Sequence, residues 1–397
     1  MAFETMRRSL LRERAHGEAP EVGAIELFFD LVYVFSVIQL SGVLLEHRSG
    51  TGIAQAVVLF AAVWWGWNYT AWAMNWLEPC NAAVRVLTAF LMLAGLGMAV
   101  ALPKAFGEEA VLFAVCYVCL QWVRSAFMVW ACRGQVLGGN YARLLVWSAA
   151  AGALWVAGAV LPQEQRLWWW IAAVVVDYAA PMVNFWVPGL RSAPMHTWPL
   201  HREHLAERNR LVFIIALGES ILVMGFTLDK VELTGPVLAA TVVGFAGLVL
   251  LWWNYFGFRI VQEREEDPEG SRQTAIARSG FAYAHAIMIA GAIVVAVSIE
   301  QVTQHPTGTV EPAVAGCVTG GPVLYLLGNL LYIYARTGSV ARSRLTVAGV
   351  LALLGVFAAT TETLSPLALA ALAVACMFAL AVFSGRVPVR CRAAAMP

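Results

Sequence analysis

Twelve stretches of the chain are long and apolar enough to cross a bilayer as helices: 25–46, 52–74, 83–102, 110–132, 142–161, 167–186, 207–227, 236–259, 276–299, 312–335, 344–361 and 366–385. A helix of about 20 residues rises about 30 Å, the thickness of the hydrocarbon core. In lipid every backbone N–H and C=O must be satisfied within the span, which leaves helices or closed barrels. Runs of this length read as helices, so the expected fold is an all-α polytopic membrane protein. Composition points the same way. Hydrophobic residues make up 60% and charged residues 13%, and mean hydropathy is +0.71, against about 25% charged in a soluble domain. That excludes an ordinary soluble enzyme and a disordered chain. A net charge of +1 supplies no basic field for nucleic acid. The partners expected are the lipid bilayer and an unidentified small molecule or ion.

Orientation follows from lysine and arginine. With the N-terminus in the cytoplasm, twenty-one of the 26 basic residues fall on the cytoplasmic side. Only Arg48, Lys104, Arg166 and Lys230 fall outside, and Arg124 lies within a span. Twelve spans with both termini cytoplasmic fit this bias. The segments are then a tail at 1–24, a first six-helix half at 25–186, a connector at 187–206, a second half at 207–385 and a tail at 386–397. The first apolar run contains Glu26 and Asp30, which a cleavable signal would not carry. In the N-terminal tail, Phe3, Met6, Leu10 and Leu11 alternate with Arg7, Arg8, Arg12 and Arg14. Two readings stay open there, a helix lying on the membrane surface and a frayed tail.

The halves echo each other. Trp67-Asn68-Tyr69 in the second span matches Trp253-Asn254-Tyr255 in the eighth. Arg85 and Leu91-Met92-Leu93-Ala94-Gly95 in the third match Arg278 and Ile287-Met288-Ile289-Ala290-Gly291 in the ninth. Copies six spans apart point the same way, so the expectation is two parallel six-helix repeats, an arrangement transporters use with the site between the halves.

Ionisable groups inside a bilayer are costly and mark function or a buried pair. At about 1.5 Å per residue, Asp30 lies about 7 Å from the cytoplasmic end of its span, and Arg124, Asp177 and His285 roughly 12–14 Å. Glu219 lies about 18 Å deep, near the midplane. Glu26, Asp30 and Tyr33 share a helix stripe, and two carboxylates one turn apart suit a cation or a shared proton. Arg124 calls for an acidic partner, with Asp177 matching its depth and Asp30 about one turn away. Glu219 has no base within four positions on its helix, which suits a neutral acid that carries or donates a proton. The ion or substrate pathway is therefore read as Glu26, Asp30, Arg124, Asp177, Glu207, Arg208, Glu219 and His285. His204, Arg208, Leu211, Ile215 and Glu219 trace one face from the cytoplasm to the midplane.

Of the sixteen tryptophans, Trp72, Trp76, Trp168, Trp169, Trp170 and Trp186 fit an interfacial belt. Trp65, Trp67, Asn68, Trp253, Asn254 and Tyr255 lie deeper and are read as cavity lining. His201, His204 and Glu207 have a spacing that a metal can use, but arginine-rich surroundings without thiols argue against a metal, and none is assigned. Gly316-x-x-x-Gly320 permits close helix approach. The cysteines read as small apolar fillers rather than a disulfide set. No phosphate loop, dinucleotide fingerprint, hydrolase triad or zinc-protease motif occurs, and no cofactor is expected.

Glu26-Leu27-Phe28-Phe29-Asp30-Leu31-Val32-Tyr33-Val34-Phe35 resembles the opening segment of the bacterial low temperature requirement A (LtrA) family. His204-Leu205-Ala206-Glu207-Arg208, followed by Leu211 and Ile214-Ile215-Ala216-Leu217-Gly218-Glu219, resembles its second signature. The two occur in the expected order, near the start of each half. The resemblance implies a multi-pass protein of the bacterial inner membrane, in a family named for a cold-growth phenotype. It implies no established activity and no agreed site residues.

The reading that joins these features is proton- or cation-coupled transport of a small molecule through a site between the halves. One alternative is a membrane-embedded enzyme, in which an acid protonates an isoprenoid or lipid and deep tryptophans stabilise the cation. The other is a sensor or scaffold without turnover.

Overall fold

Each of the twelve apolar windows coincides with a long helix in the computed structural model, which describes residues 10–12, 21–257, 277–361 and 363–384. In chain order these are α1 (Ala24–Glu46), α2 (Gly50–Met74), α3 (Ala82–Ala101), α4 (Ala110–Ala131), α5 (Val136–Val160), α6 (Gln163–Met182), α7 (Arg202–Leu228), α8 (Gly235–Phe256), α9 (His285–Gln304), α10 (Pro312–Thr337), α11 (Arg342–Thr361) and α12 (Pro366–Ser384). A π-helical stretch, Ala277–Ala284, leads into α9. Among the described residues there is no strand, only isolated bridges.

Eleven of the helices are long and apolar enough to span a membrane. The exception is α6, whose first turns read Gln163-Glu164-Gln165-Arg166 and whose far end carries Asp177. The polarity of α1 runs opposite to that of a soluble helix. Glu26, Asp30, Tyr33 and Ser36 are buried, while Leu27, Phe28 and Leu31 face outward. An apolar exterior over a polar interior is what lipid selects.

Helix starts follow local chemistry. The Ser49 hydroxyl accepts from the Gly52 N–H at 3.1 Å, and the Asn81 side chain accepts from Ala83 at 2.9 Å; both are N-caps. α10 stops at Gly338, where φ is +69° and the N–H closes on Tyr334 O at 2.8 Å, the left-handed cap that glycine adopts without strain.

The chain divides into two compact units, Met1–Ile215 with Asp267–Ala282, and Ala216–Glu266 with Tyr283–Pro397. The division falls within α7, whereas the sequence halves divide before it.

In the first unit α1 packs on α2 and α3, α2 on α4 and α6, and α3 to α6 on one another in order. Aromatic rings fill the gaps. Phe113, Tyr117, Trp155 and Trp170 form one cluster, and Trp76, Tyr141 and Trp198 another. This divides the expected tryptophan belt. Trp168 and Trp186 are exposed, but Trp72, Trp76 and Trp170 are core residues.

In the second unit the backbones of α9 and α10 come close together. A Cβ on Gly291 would sit 2.5 Å from the Tyr325 backbone N, and one on Gly328 would sit 2.7 Å from Ala284 O. Gly316 and Gly320 have nothing within 4 Å of a built Cβ. The glycine motif thus marked the right helix and the wrong face of it.

Candidate functional site

Glu26 and Asp30 lie one turn apart at the start of α1, with Phe29 and Tyr33 buried beside them. On α7, His204 and Arg208 are likewise one turn apart and buried. The guanidinium of Arg208 spans both acids. Its Nη1 donates to Glu26 Oε1 at 2.9 Å and its Nη2 to Asp30 Oδ1. All three side chains are fully buried. α2 adds Trp67, whose Nε1 donates to Asp30 Oδ1 at 2.8 Å and whose ring lies 5.9 Å from Arg208 Cζ.

Glu26 accepts from four donors. Oε1 takes Arg208 and His204 Nε2, the latter at 3.0 Å. Oε2 takes Arg12 Nη2 at 2.9 Å and the Gly23 N–H at 2.8 Å. The last bond also caps α1, where glycine has no side chain to do so. Asp30 is less complete, since its Oδ2 has no partner among the described residues.

The tautomer of His204 follows from its neighbours. The Asn75 carbonyl accepts from the His201 N–H at 2.9 Å, so its NH2 faces the other way and donates to His201 O at 2.9 Å and His204 Nδ1 at 3.1 Å. An accepting Nδ1 puts the proton on Nε2, which donates to Glu26. Arg12 Nη2 passes 3.3 Å from that ring nitrogen, which also favours an uncharged imidazole. The network is then balanced, with two guanidiniums against two carboxylates.

Arg12 was not foreseen. It sits in the tail, where its Nε donates to Leu77 O at 2.9 Å and its Nη1 to Glu21 O at 3.0 Å. Its own N–H pairs with Trp76 O, and Leu10 O accepts from Glu78. Leu10 is buried. Residues 10–12 are therefore docked against the exit of α2; Phe3, Met6, Arg7, Arg8 and Arg14 lie outside the described residues. The alternation in the tail did not single out Arg12 as a site residue, and no pattern pointed to Asn75, because both act from irregular chain outside the helices.

The expected pairing of Arg124 with Asp177 or Asp30 is not made. Arg124 is buried, and its contacts are neutral: Gln121 Oε1, Thr70 Oγ1 at 3.3 Å, Gly66 O at 3.4 Å and the face of Tyr69. Asp177 accepts instead from Tyr117 Oη at 2.7 Å and Trp155 Nε1 at 3.3 Å. The two charges are joined indirectly. Arg124 donates to Gln121, Gln121 donates to Tyr117 at 2.8 Å, and Tyr117 donates to Asp177. Every donor points towards the carboxylate, so each bond polarises the next.

The remaining candidates separate. Glu207 forms an exposed pair with Arg210 at 3.4 Å, whereas His204 is buried against Glu26. Trp65 stacks on Tyr178 at 3.9 Å, and Asn68 is buried. In the second unit, Glu219 is buried, and neither carboxyl oxygen has a partner among the described residues. His285 Nε2 and Tyr255 Oη are 2.8 Å apart. Asn254 donates to Leu250 O of its own helix. Trp253 is 54% exposed and faces out of its unit rather than lining a cavity there.

Comparison with known proteins agrees with the resemblance in α1 and α7. A protein of Rhizobium meliloti (strain 1021), described as uncharacterized protein RA0937, is 38% identical over 312 residues, covering 77% of this chain and 75% of that protein. No solved structure matches. Residues 21–382 match the family described as bacterial low temperature requirement A protein (LtrA), and the chain belongs to that family.

Proposed function

We propose that the chain is a proton-coupled transporter of a small molecule in the bacterial inner membrane, with Glu219 as the residue that takes up and releases the proton. The observation that carries this reading is the carboxyl itself. It sits midway along a spanning helix, buried and unanswered by any described donor. A carboxyl so placed is affordable only while neutral, and charging it requires water or a substrate group to arrive. That is the behaviour of a coupling acid. Glu26, by contrast, has four donors around it and offers no position to a cation. We assign the network of Glu26, Asp30 and Arg208 to holding α1, α2 and α7 together.

The enzyme reading needs an open aromatic wall beside an acid. Trp67 is instead committed to Asp30, Trp65 to Tyr178, and Trp252 and Trp253 face outward. Twelve crossings, with α6 among them, and cytoplasmic termini are supported by the distribution of arginine and lysine. The parallel repeat is supported by Asn68 and Asn254, both buried, though the neighbouring Trp67 and Trp253 differ in exposure.

The test compares cells expressing wild type with cells expressing Glu219→Gln at matched membrane levels, using mass spectrometry of cell and medium extracts separately. Transport predicts one unchanged set of molecules, redistributed between cell and medium. A molecule made only by wild type would establish an enzyme instead. No difference would remove Glu219 from the site and leave the scaffold reading.

A further inference from the structure

Four helices of the second unit enclose a groove of about 50 Å³. α8 lines it along one stripe from Ala240 to Leu251, and α12 along another from Ala370 to Met377. α9 closes it from Val295 to Val302, and α10 adds Val318 and Pro322, one turn apart. Stripes of helical period on four neighbours define a space that runs with the helix axes rather than across them. From Ala240 to Leu251 is about 16 Å of helix, so the space is long and thin. Its volume is about a third of the ~150 Å³ cavity that admits benzene, which leaves room for a chain and not for a ring.

The wall is apolar. Among the described residues that line it, the only polar side chain is Ser298, whose hydroxyl donates to Val295 O at 2.8 Å. A water held there would lack the two to four polar partners it needs. All four helices belong to segments long and apolar enough to span a membrane, which sets the groove at the depth of hydrocarbon tails. Its floor, at Val295, Val318 and Met377, is buried. Its rim, at Gly247 of α8 and Val374 of α12, is half-buried, and a Cβ on Gly247 would sit 3.5 Å from Val374 Cγ2. Beside the rim, Val242 and Phe378 are exposed. The groove thus opens between α8 and α12, towards the lipid.

We propose that this groove holds an acyl chain of a membrane phospholipid, with the chain end beside Met377. Met377 lies about 16 Å from the N-terminal end of α12, near the midplane of a ~30 Å core, where the tails of a leaflet end. A chain that enters from the bilayer gains nothing from hydrophobic transfer, because the tails outside are equally apolar. It gains dispersion contacts with wall atoms that otherwise face a void, and a thin groove gives an unbranched chain contacts on every side. The inference goes beyond the transport reading and does not rest on it.

The test uses the full chain in phosphatidylcholine nanodiscs that carry a phosphatidylcholine with a diazirine at the end of one acyl chain. After illumination, labelled residues are mapped by mass spectrometry of peptides. Met377 and Phe378 are adjacent, but Met377 is buried and Phe378 faces outward. Bulk lipid reaches Phe378 alone, whereas a chain in the groove reaches Met377 as well. Labelling of both is expected. Gly247→Leu and, on the opposite rim, Ala370→Leu should each cut the labelling of Met377 about tenfold, because the added side chain takes the space of the acyl chain. Phe378 should be labelled as before, and an unchanged melting temperature shows that a rim variant is folded. The wild-type comparison of Met377 with Phe378 decides the matter even where a rim variant does not fold. Glu219→Gln should leave the labelling unchanged, so a failure of transport and a failure of the groove are separate results. Labelling of Phe378 alone, or labelling of Met377 that neither folded rim variant lowers, overturns the proposal. Labelling of Met377 by a diazirine-bearing alkane but not by the phospholipid would give the groove to a free apolar solute and overturn it as well.

Discussion

Arg208 is the residue on which the first unit turns. Its planar fork reaches Glu26 and Asp30 at once, a geometry that a lysine ammonium does not reproduce. Removing it leaves two buried carboxylates with too little positive charge, and breaking a buried pair in this way costs about 3–5 kcal/mol. Arg208→Gln should therefore lower thermal stability in detergent steeply, and Arg208→Lys by less. Adding Asp30→Asn to Arg208→Gln should recover part of the loss, because it deletes the acid left with fewer donors. Sequence alone carried the stripe of Glu26, Asp30 and Tyr33, since helical spacing is a one-dimensional signal. It did not carry the partners. Arg124 and Asp177 were matched by depth, and depth says nothing about the direction in which a side chain leaves its helix. The space between them is filled by Tyr117 and Gln121, two uncharged residues that a search for charges passes over.

Helix-to-helix contact follows the same logic. Hydropathy located α1 to α12, because crossing a bilayer demands length and apolarity. It did not say which glycines lie at interfaces. Gly291 faces the Tyr325 backbone, and Gly316 faces nothing within 4 Å. Gly291→Ala should cost about 1–3 kcal/mol through overpacking, read as a drop in melting temperature, while Gly316→Ala should leave it unmoved. Equal effects would show that the α9–α10 contact is looser than described. α6 marks the limit of hydropathy as a guide. Its apolar run, Ile171 to Val176, is short, while Glu164, Arg166 and Asp177 lower its average.

At the scale of the whole molecule, the proposed cytoplasmic termini would place the connector between α2 and α3 in the cytoplasm, and Cys80 in that connector is exposed. With the other cysteines replaced by serine, Cys80 should react with a membrane-impermeant maleimide in inverted vesicles and not in intact spheroplasts. Labelling in spheroplasts would reverse the orientation. Arginine bias is the basis of this proposed topology, whereas the docking of residues 10–12 was not legible, because a short irregular segment has no period to read. The Glu26–Arg208 bond also sets an order of events during synthesis. The two residues are 182 positions apart, a gap that a ribosome at ~5–20 residues per second crosses in roughly 10–40 s. Through that interval α1 already exists, and its two acids must wait for the arginine that will neutralise them. Arg12 is made before Glu26, and Trp67 follows Asp30 by only 37 positions. Each acid therefore has an early escort, and the nascent chain can shelter α1 until α7 arrives.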